Sequence, residues 1–270
     1  MIRLNLADWI VTLDVRPARL AAEMAERYAA FACAEEHAAD LALRIIHEED
    51  GASHPATLLQ ATVTAKGEEY LLDAPAFYGM IGPFRGQAEL RMRSAVPTRE
   101  VEYFLRVALA LFAWTRGGLL MHSAAVVVNE AAFLFTGQSG SGKSTVVSLA
   151  RASGRLVALS DDLVLLRHLN REWRAYGTPF WNLETQQRDG QTASGPVQAI
   201  YKLIQDREVF AEPMSTATAA AELLANCPVV NSQPALLPEL LLRCREVAKA
   251  VKVQRLHFRK DDAFWEVIAC

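Results

Sequence analysis

Apolar and polar residues change their spacing along the first third of the chain. Apolar positions alternate loosely from Ile2 to Val15, which predicts a strand with one buried face. After Pro17 the apolar spacing becomes helical. This helical stripe consists of Leu20, Met24, Tyr28 and Phe31. From residue 39 to residue 93 the apolar period is two, and turn residues separate the alternating runs. These patterns predict a helix beside a small antiparallel sheet.

The pattern after this sheet predicts a second helix and then two strands. Thr98 can cap a helix with inward apolar residues at helical spacing, and Gly117-Gly118 ends it. Two apolar runs follow, and only Asn129-Glu130 separates them, so we expect an antiparallel hairpin. A parallel pair would need a crossover of about a dozen residues or more. We place the domain boundary before the helix, with a small α+β domain at 1–96 and a second domain at 97–270.

A glycine-rich loop connects the second strand of this hairpin to a predicted helix. Its sequence fits the phosphate-binding pattern G-x-x-x-x-G-K-[ST] without a mismatch. Glycines let the backbone turn its N–H groups around phosphate oxygens, Lys143 reaches the β- and γ-phosphates, and Ser144 can ligate Mg²⁺. We therefore predict a nucleotide site, with an ordinary glycine-rich turn as the alternative. The predicted nucleotide-binding residues are Gly137, Gln138, Ser139, Gly140, Ser141, Gly142, Lys143, Ser144 and Thr145.

Two carboxylates end the next apolar run. Residues 156–160 indicate a buried strand, and Asp161 and Asp162 follow it directly. A nucleotide site needs such acids to hold Mg²⁺ against the phosphates. Adjacent residues of an extended strand point to opposite sides, so one acid can face the metal and the other the incoming nucleophile. The alternative is that these two residues only begin a turn.

The rest of the chain alternates predicted strands and helices. Strands are expected at 173–176, 197–205 and 251–258, and helices at 216–226, at 238–250 and after Asp261. The turn Gly177 to Trp181 and the polar segment Gln186 to Gly195 lack a periodic apolar pattern, so we expect them to wall the acceptor site. Arg188 could pair with a carboxylate or phosphate and Glu184 could bind metal, each with a solvated side chain as the alternative. The stretch Phe77 to Phe84 either packs around a turn or forms a docking surface.

Composition excludes some classes of protein. The chain has 270 residues, is 51% apolar and carries 28 basic against 31 acidic residues, so it can bury a large core and has no bulk charge for nucleic acid. Its four cysteines lie far apart in sequence, which argues against a zinc site or a disulfide framework and favours inert thiols. The sequence shows neither a secretory pattern nor an apolar run long enough to span a membrane. We expect a cytoplasmic protein that binds neither nucleic acid nor membrane.

The order of His122-Ser123, the hairpin, the glycine-rich loop and Asp161-Asp162 resembles the catalytic core of HPr kinase/phosphorylase. The resemblance covers Leu119 to Leu166, and more weakly extends to Gln205. It implies an α/β (α+β) fold, a P-loop kinase core related to phosphoenolpyruvate carboxykinase, behind a small β-rich N-terminal domain. It also implies that Asp161 is the general base toward a serine hydroxyl, that Asp162 helps to hold the metal, and that His122 lies beside Asp161.

The chain departs from that family in two places. It has nothing like the glycine-rich second signature used in HPr docking and phosphorolysis, and its N-terminal half does not look like the family's N-terminal domain. HPr is therefore not the expected acceptor, and efficient phosphorolysis is not expected. Diverged relatives phosphorylate a serine of ribosomally made precursor peptides, notably lasso peptides. The resemblance thus implies an ATP- and Mg²⁺-dependent kinase acting on a peptide or small protein, and it leaves a homo-oligomer open.

Three residues are expected to carry the chemistry of this kinase. They are Asp161, His122 and Lys143, and Ser144 and Asp162 are the expected metal ligands. Two other classes of function stay open: a nucleotide-gated binding module or ATPase, and a small-molecule kinase. No glutamine or arginine dedicated to water activation is identifiable in the sequence, which disfavours a hydrolytic switch.

Overall fold

The chain divides into two compact units, Met1–Arg116 and Gly117–Cys270. A computed structural model of the chain describes residues 1–35, 37–48, 61–93, 97–152, 156–181 and 192–268. The division lies after the helix predicted at residue 98 rather than before it, because that helix packs on strands of the first unit. None of the helices in the described ranges is long and apolar enough to cross a membrane.

In the first unit the described residues form a seven-stranded sheet and two α-helices. Its strands are β1 (Ile2–Leu6), β2 (Trp9–Arg16), β3 (Leu41–His47), β4 (Thr62–Lys66), β5 (Glu69–Ala74), β6 (Phe77–Gly82) and β7 (Gln87–Met92), and its helices are α1 (Ala18–Arg27) and α2 (Pro97–Thr115). The strand order is β1-β2-β3-β7-β6-β5-β4. All four residues of the predicted apolar stripe are buried, although Tyr28 and Phe31 lie just beyond the end of α1. Trp9 meets Phe112 of α2 edge to face, with ring centroids 5.1 Å apart.

Two predictions for this unit are wrong. The segment Ile2 to Val15 forms two strands rather than one, because Ala7 and Asp8 adopt φ values of 58° and 61° and turn the chain into a hairpin. The sheet is mixed rather than antiparallel, since β3 runs parallel to both β2 and β7. The helix α1 lies between β2 and β3 in the chain and supplies the crossover that parallel strands need. Within β6, Phe77 and Ile81 are buried while Tyr78 and Met80 are exposed.

The part of the second unit that the structure describes forms a nine-stranded sheet and four α-helices. Its strands are β8 (Leu119–His122), β9 (Ala124–Val128), β10 (Ala131–Thr136), β11 (Val157–Ser160), β12 (Leu163–Leu169), β13 (Glu172–Tyr176), β14 (Ser194–Gln205), β15 (Phe210–Pro213) and β16 (Lys252–Phe258), and its helices are α3 (Lys143–Ala152), α4 (Thr216–Ala225), α5 (Leu237–Ala250) and α6 (Phe264–Ile268). The order along the sheet is β11-β9-β10-β14-β13-β12-β8, and β16 pairs with both β14 and β15.

The predicted hairpin before the phosphate loop is confirmed. β9 and β10 are antiparallel, and the connecting Asn129 and Glu130 have φ values of 46° and 67°. On its other side β10 runs parallel to β14, and Thr136 is paired with Lys202. The sheet around the loop is therefore mixed, and the two-residue connection predicts its antiparallel pair. The mixed α/β fold class expected from the sequence is confirmed as well.

The apolar run from Leu119 to Val128 is two strands rather than one continuous strand. β8 pairs with β12, whereas β9 pairs with β10 and β11, so the chain changes partners at Ser123. The segment that pairs with these strands is also interrupted, because β11 ends and β12 begins around Asp161-Asp162. This shared break brings the two segments that the sequence singled out next to each other: the N–H of Ser123 donates to the carbonyl of Asp162 at 3.0 Å.

The helices of the second unit follow the predicted signals. The Ser215 hydroxyl caps α4 by accepting a hydrogen bond from the N–H of Thr218 at 3.1 Å. Two cysteines, Cys227 and Cys244, are buried free thiols, as predicted. They nevertheless meet in space, since a hydrogen bond with the Cys244 thiol, together with burial, raises the pKa of Cys227 well above its usual value.

Candidate functional site

The predicted phosphate loop lies between the end of β10 and the first turn of α3. Gly137, Gly140 and Gly142 adopt φ values of 143°, 79° and 109°, in the region that L side chains rarely enter. The N–H of Ser141 donates to the carbonyl of Gln138 at 3.1 Å, which closes the loop on itself. α3 begins at Lys143, so Ser144 and Thr145 lie in its first turn. Backbone N–H groups at a helix N-terminus form a site suited to an anion.

Two of the glycines are required by close packing as well as by their backbone angles. A Cβ at Gly142 would lie 2.4 Å from Cζ of Phe258, a side chain of β16. A Cβ at Gly137 would lie 2.6 Å from the Ser141 hydroxyl oxygen. Phe258 itself is buried in the core cluster that also contains Val146 and Val147 of α3. The loop is therefore pressed against a filled core, which leaves no space for a side chain at Gly142.

Lys143 is buried and held by the loop. Its ammonium donates to the carbonyl of Gly137 at 2.7 Å and to the carbonyl of Gln138 at 3.2 Å. Burial lowers the pKa of Lys143, and the negative charge of Asp162 partly opposes this shift. That opposition means that Asp162 and the loop lysine lie within electrostatic reach of each other. The structure thus brings together the cation and the acid predicted for the two halves of the site.

A buried hydroxyl shapes the carboxylate turn, which we define as Ser160 to Leu163. The Ser160 hydroxyl accepts hydrogen bonds from the N–H groups of Asp162 at 3.1 Å and Leu163 at 3.2 Å. It donates to the carbonyl of Phe180 at 2.7 Å. This single side chain therefore bonds three backbone groups, two in the turn and one in the segment 177–181.

Thr178 secures the same turn from the opposite segment. Its hydroxyl donates to the carbonyl of Leu163 at 2.5 Å and accepts from the N–H of Phe180 at 3.3 Å. Thr178, Phe180 and Trp181 are all buried. The expectation that Gly177 to Trp181 does not require burial is therefore wrong, and its place as a wall of the acceptor site stays a prediction. Apolar burial of Phe180 and Trp181 makes this segment a brace behind the two aspartates.

His122 is paired with the second of the two aspartates. Its Nδ1 lies 3.1 Å from Oδ1 of Asp162. The resemblance implies that His122 lies beside Asp161, and the structure shows its ion pair with the next residue, Asp162. The cause is the register, because β8 pairs with β12 and Leu163 stands opposite His122. Asp161 is 3% exposed, whereas the side chain of Asp162 is 16% exposed and that of His122 is 41% exposed.

A cavity of about 810 Å³ lies on the loop and carries His122 in its wall. The loop contributes residues 137–141 to the lining, and β14 and α4 supply the opposite wall. The lining residues of that wall are Lys202, Leu203, Gln205, Glu222, Ala225 and Asn226. Binding sites for small molecules have volumes of about 300–1,000 Å³, so this cavity is of a size that a nucleotide can occupy.

Several residues of this wall were missed by the sequence analysis. Gln205 donates from Nε2 to the carbonyl of Gly140 at 2.7 Å and so clamps the loop. Lys202 pairs with Glu222 at 2.6 Å between Nζ and Oε2. The sequence of β14 carries no local signal for these residues, because Lys202 reaches the loop through the register of β14 with β10 and Gln205 through its bond to Gly140.

Some predicted positions lie outside the described residues. These are Glu184, Arg188 and residues 186–191 of the polar segment, as well as Cys270. The last two residues of that segment, Ser194 and Gly195, belong to β14 and pair with β13. The prediction that residues 186–195 form one polar loop is therefore wrong at its end.

The expected Mg²⁺ would have to be held by few protein ligands together with phosphate oxygens. Among the described residues, no group of three or more His, Cys, Asp or Glu side chains is placed to hold a metal ion. Ser144 in the first turn of α3 and Asp162 near Lys143 offer the oxygen ligands that Mg²⁺ prefers. Mg²⁺ usually binds through one or two protein groups plus substrate phosphates, so the residues present fit such a site.

The fold and the site define the class of this protein. A strand, a phosphate loop and a helix, followed by a carboxylate turn beside the first hairpin strand, make it a P-loop protein of mixed α/β type.

Comparison with known proteins identifies the family. Residues 102–268 match the family described as SynChlorMet cassette protein ScmC, and since the match covers more than half of the chain, the protein belongs to this family. The chain is also similar to the solved structure of the HPr(Ser) kinase/phosphatase from Coxiella burnetii, with 12% sequence identity and a TM-score of 0.32, over 52% of this chain and 78% of that chain. No curated protein matches the chain.

Proposed function

We propose that this protein is an ATP-dependent kinase that transfers the γ-phosphoryl group to a serine hydroxyl of a peptide. The observation that carries the proposal is the meeting of two separate sequence elements in one site. Lys143 of the phosphate loop and Asp162 of the carboxylate turn interact electrostatically, and His122 lines the loop cavity while pairing with Asp162. A loop that only turned the chain would not require a buried cation and a carboxylate pair.

The triphosphate is bound mainly by the backbone of the loop. N–H groups of residues 140–143 and the first turn of α3 surround the phosphates, and Lys143 neutralises charge on the β- and γ-phosphates. To do so, the ammonium exchanges its bonds to the carbonyls of Gly137 and Gln138 for phosphate oxygens. The phosphates are charged acceptors, and hydrogen bonds between ionised groups are the stronger kind.

The two aspartates divide the remaining work. Asp162 interacts with Lys143 and with His122, which supports a role on the phosphate side, as a ligand of Mg²⁺ together with Ser144. When bound, Mg²⁺ would neutralise charge on the β- and γ-phosphates. Asp161 is nearly buried at the end of β11, and there it accepts the proton of the acceptor hydroxyl. His122 keeps the Asp162 carboxylate in place.

The acceptor assignment rests on the resemblance to peptide-modifying relatives and on the family description of a cassette protein. Peptides encoded next to this gene are therefore the first acceptors to test. The other two functions, an ATPase that gates a partner and a small-molecule kinase, use the same nucleotide site. They differ from the proposal only in where the phosphoryl group goes.

The test uses ATP that is labelled in its γ-phosphoryl group, together with Mg²⁺, and locates the label after three reactions. The protein is incubated with peptides encoded by neighbouring genes, with a pool of hydroxyl-bearing metabolites, or alone. We expect label on a peptide serine, located by mass spectrometry. A peptide with that serine replaced by alanine is the matched control and should stay unlabelled. Label on a metabolite, or free phosphate alone, would contradict the peptide kinase and favour the corresponding alternative.

A further inference from the structure

A lysine lies at the level of the phosphate loop on the neighbouring strand. β10 and β14 run parallel, and Lys202 is paired with Thr136, the residue that precedes Gly137. Neighbouring strands are about 4.8 Å apart, so Lys202 leaves the sheet close to where the chain enters the loop. Its side chain is 38% exposed and lines the loop cavity.

The direction of this side chain follows from the pleat of β14. Tyr201 and Leu203 belong to the core cluster that contains Val146 and Val147 of α3. Successive residues of a strand point to opposite faces, so Lys202 points to the face opposite α3. Helix α4 lies on that face, because its Glu222 pairs with Lys202. Lys202 thus approaches the cavity from the side opposite the loop helix.

Hydrogen bonds tie this ion pair to the strand of His122. Oε2 of Glu222 accepts from Lys202 at 2.6 Å, and its Oε1 accepts from Nδ2 of Asn226 at 3.1 Å. The carbonyl of Asn226 accepts from the N–H of His122 at 2.7 Å. Glu222 is only 13% exposed, so a well-held carboxylate fixes the ammonium beside the cavity.

The ammonium of Lys202 has N–H donors that Glu222 does not use. Glu222 takes one of its three N–H groups, and no other described residue accepts from it. Among the described residues that line the cavity, Lys202 is the one lysine or arginine. P-loop enzymes place a further cation on the transferred phosphoryl group, commonly an arginine finger, in addition to the loop lysine. We propose that Lys202 contacts the terminal phosphate of the bound nucleotide, with Glu222 as its positioning residue.

The competing explanation is a static ion pair that only docks α4 against β14. Both explanations include the contact between Lys202 and Glu222. Replacing Lys202 would therefore lower the free energy of unfolding in either case, and stability does not separate them. The two explanations predict different effects on ATP binding and on ADP binding when the lysine is lost. Contact with the terminal phosphate affects ATP and not ADP, whereas a loosened α4 affects both nucleotides equally. This inference rests on the proposed function, because it adds a residue to the proposed nucleotide site.

The experiment measures calorimetric affinity for ATP and for ADP, each with Mg²⁺, in the full chain. We expect Lys202→Met to lower the ratio of ATP affinity to ADP affinity by about tenfold or more, since a charged hydrogen bond to phosphate is lost. Lys202→Arg keeps the charge and should restore most of the ratio. The matched control is Lys252→Met, an exposed lysine of β16, which should leave the ratio unchanged.

A double-mutant comparison separates phosphate binding from helix docking. In a Glu222→Gln background the ion pair is already broken, so a docking lysine would have nothing further to lose. We expect Lys202→Met to lower the ATP to ADP ratio in that background too. An unchanged ratio in either background, with wild-type protein binding both nucleotides, overturns this inference alone. Wild-type protein that binds neither nucleotide overturns the proposed function, and this inference with it.

Discussion

The phosphate loop and the carboxylate turn are held in place by opposite means. In the loop the backbone forms the site, positive φ values at its glycines set the shape, and Phe258 leaves no space for a side chain at Gly142. In the carboxylate turn the side chains form the site, and the hydroxyls of Ser160 and Thr178 set the shape. The loop should therefore be sensitive to added atoms, and the turn to removed ones.

The largest expected effect is on the chemistry of the turn. Asp161→Asn should lower turnover by about 10²- to 10⁴-fold, because an amide cannot accept the hydroxyl proton. ATP affinity should stay near that of wild type, since the loop binds the phosphates. Asp162→Asn is the matched variant and should instead weaken the dependence of turnover on Mg²⁺. Equal losses of ATP affinity in both variants would contradict the division of roles between the two acids.

The next effect is on the loop and concerns added atoms. Gly142→Ala places a Cβ 2.4 Å from Phe258, so we expect ATP affinity to fall by more than about tenfold. Gly140→Ala is the control, because a Cβ there has no atom within 4 Å. Its only cost is the strain of a positive φ, about 1–3 kcal/mol. Phe258→Leu should partly restore binding to Gly142→Ala. Similar losses at both glycines would mean that backbone angles alone shape the loop.

A smaller effect follows from removing a hydroxyl of the turn. Ser160→Ala removes the hydroxyl that accepts from the N–H groups of Asp162 and Leu163, and losing the partner of a buried polar group costs about 1–3 kcal/mol. We expect a lower free energy of unfolding in urea and a lower turnover, with ATP affinity nearly unchanged. Ser148→Ala, which removes an exposed hydroxyl of α3, should change the free energy of unfolding by less than about 0.5 kcal/mol. Equal costs would contradict the bracing role.

The smallest effect is a pH dependence of the loop. Burial lowers the pKa of Lys143 below 10.5, so the fold favours its neutral form and the ammonium loses its proton at a lower pH than a free lysine does. Bound phosphate favours the charged form. ATP affinity should therefore fall as the pH rises into the alkaline range, with proton uptake on binding, which calorimetry in buffers of different ionisation enthalpy detects. An ATP affinity that does not fall over the alkaline range would contradict this.

The sequence predicted the loop better than it predicted the turn, for a physical reason. The phosphate loop and the β9-β10 hairpin are local, since neighbouring residues set both the glycine pattern and the two-residue connection. Bracing of the turn joins Ser160 to Phe180 and Leu163 to Thr178, and nothing in a single sequence pairs residues so far apart. For the same reason a single sequence does not predict the ion pair of His122 with Asp162, which depends on the register of β8 with β12.

Strand direction was a second property that local patterns could not provide. Alternating residues predict that β3 and β7 are strands, but the direction of each neighbour depends on the path between them. Lys202 was overlooked in the same way. A lysine in a strand is unremarkable by itself, and it gained meaning only when the register with Thr136 placed it at the loop.

The measurement that tests the central claim most directly is a calorimetric titration of wild-type protein and Lys143→Ala with ATP and Mg²⁺. The claim is that residues 137–145 bind the phosphates of a nucleotide. We expect saturable binding to wild-type protein and its near loss in the variant, with the thermal unfolding of the variant unchanged. Equal affinity of the two proteins for ATP would contradict the claim that this loop is a nucleotide site.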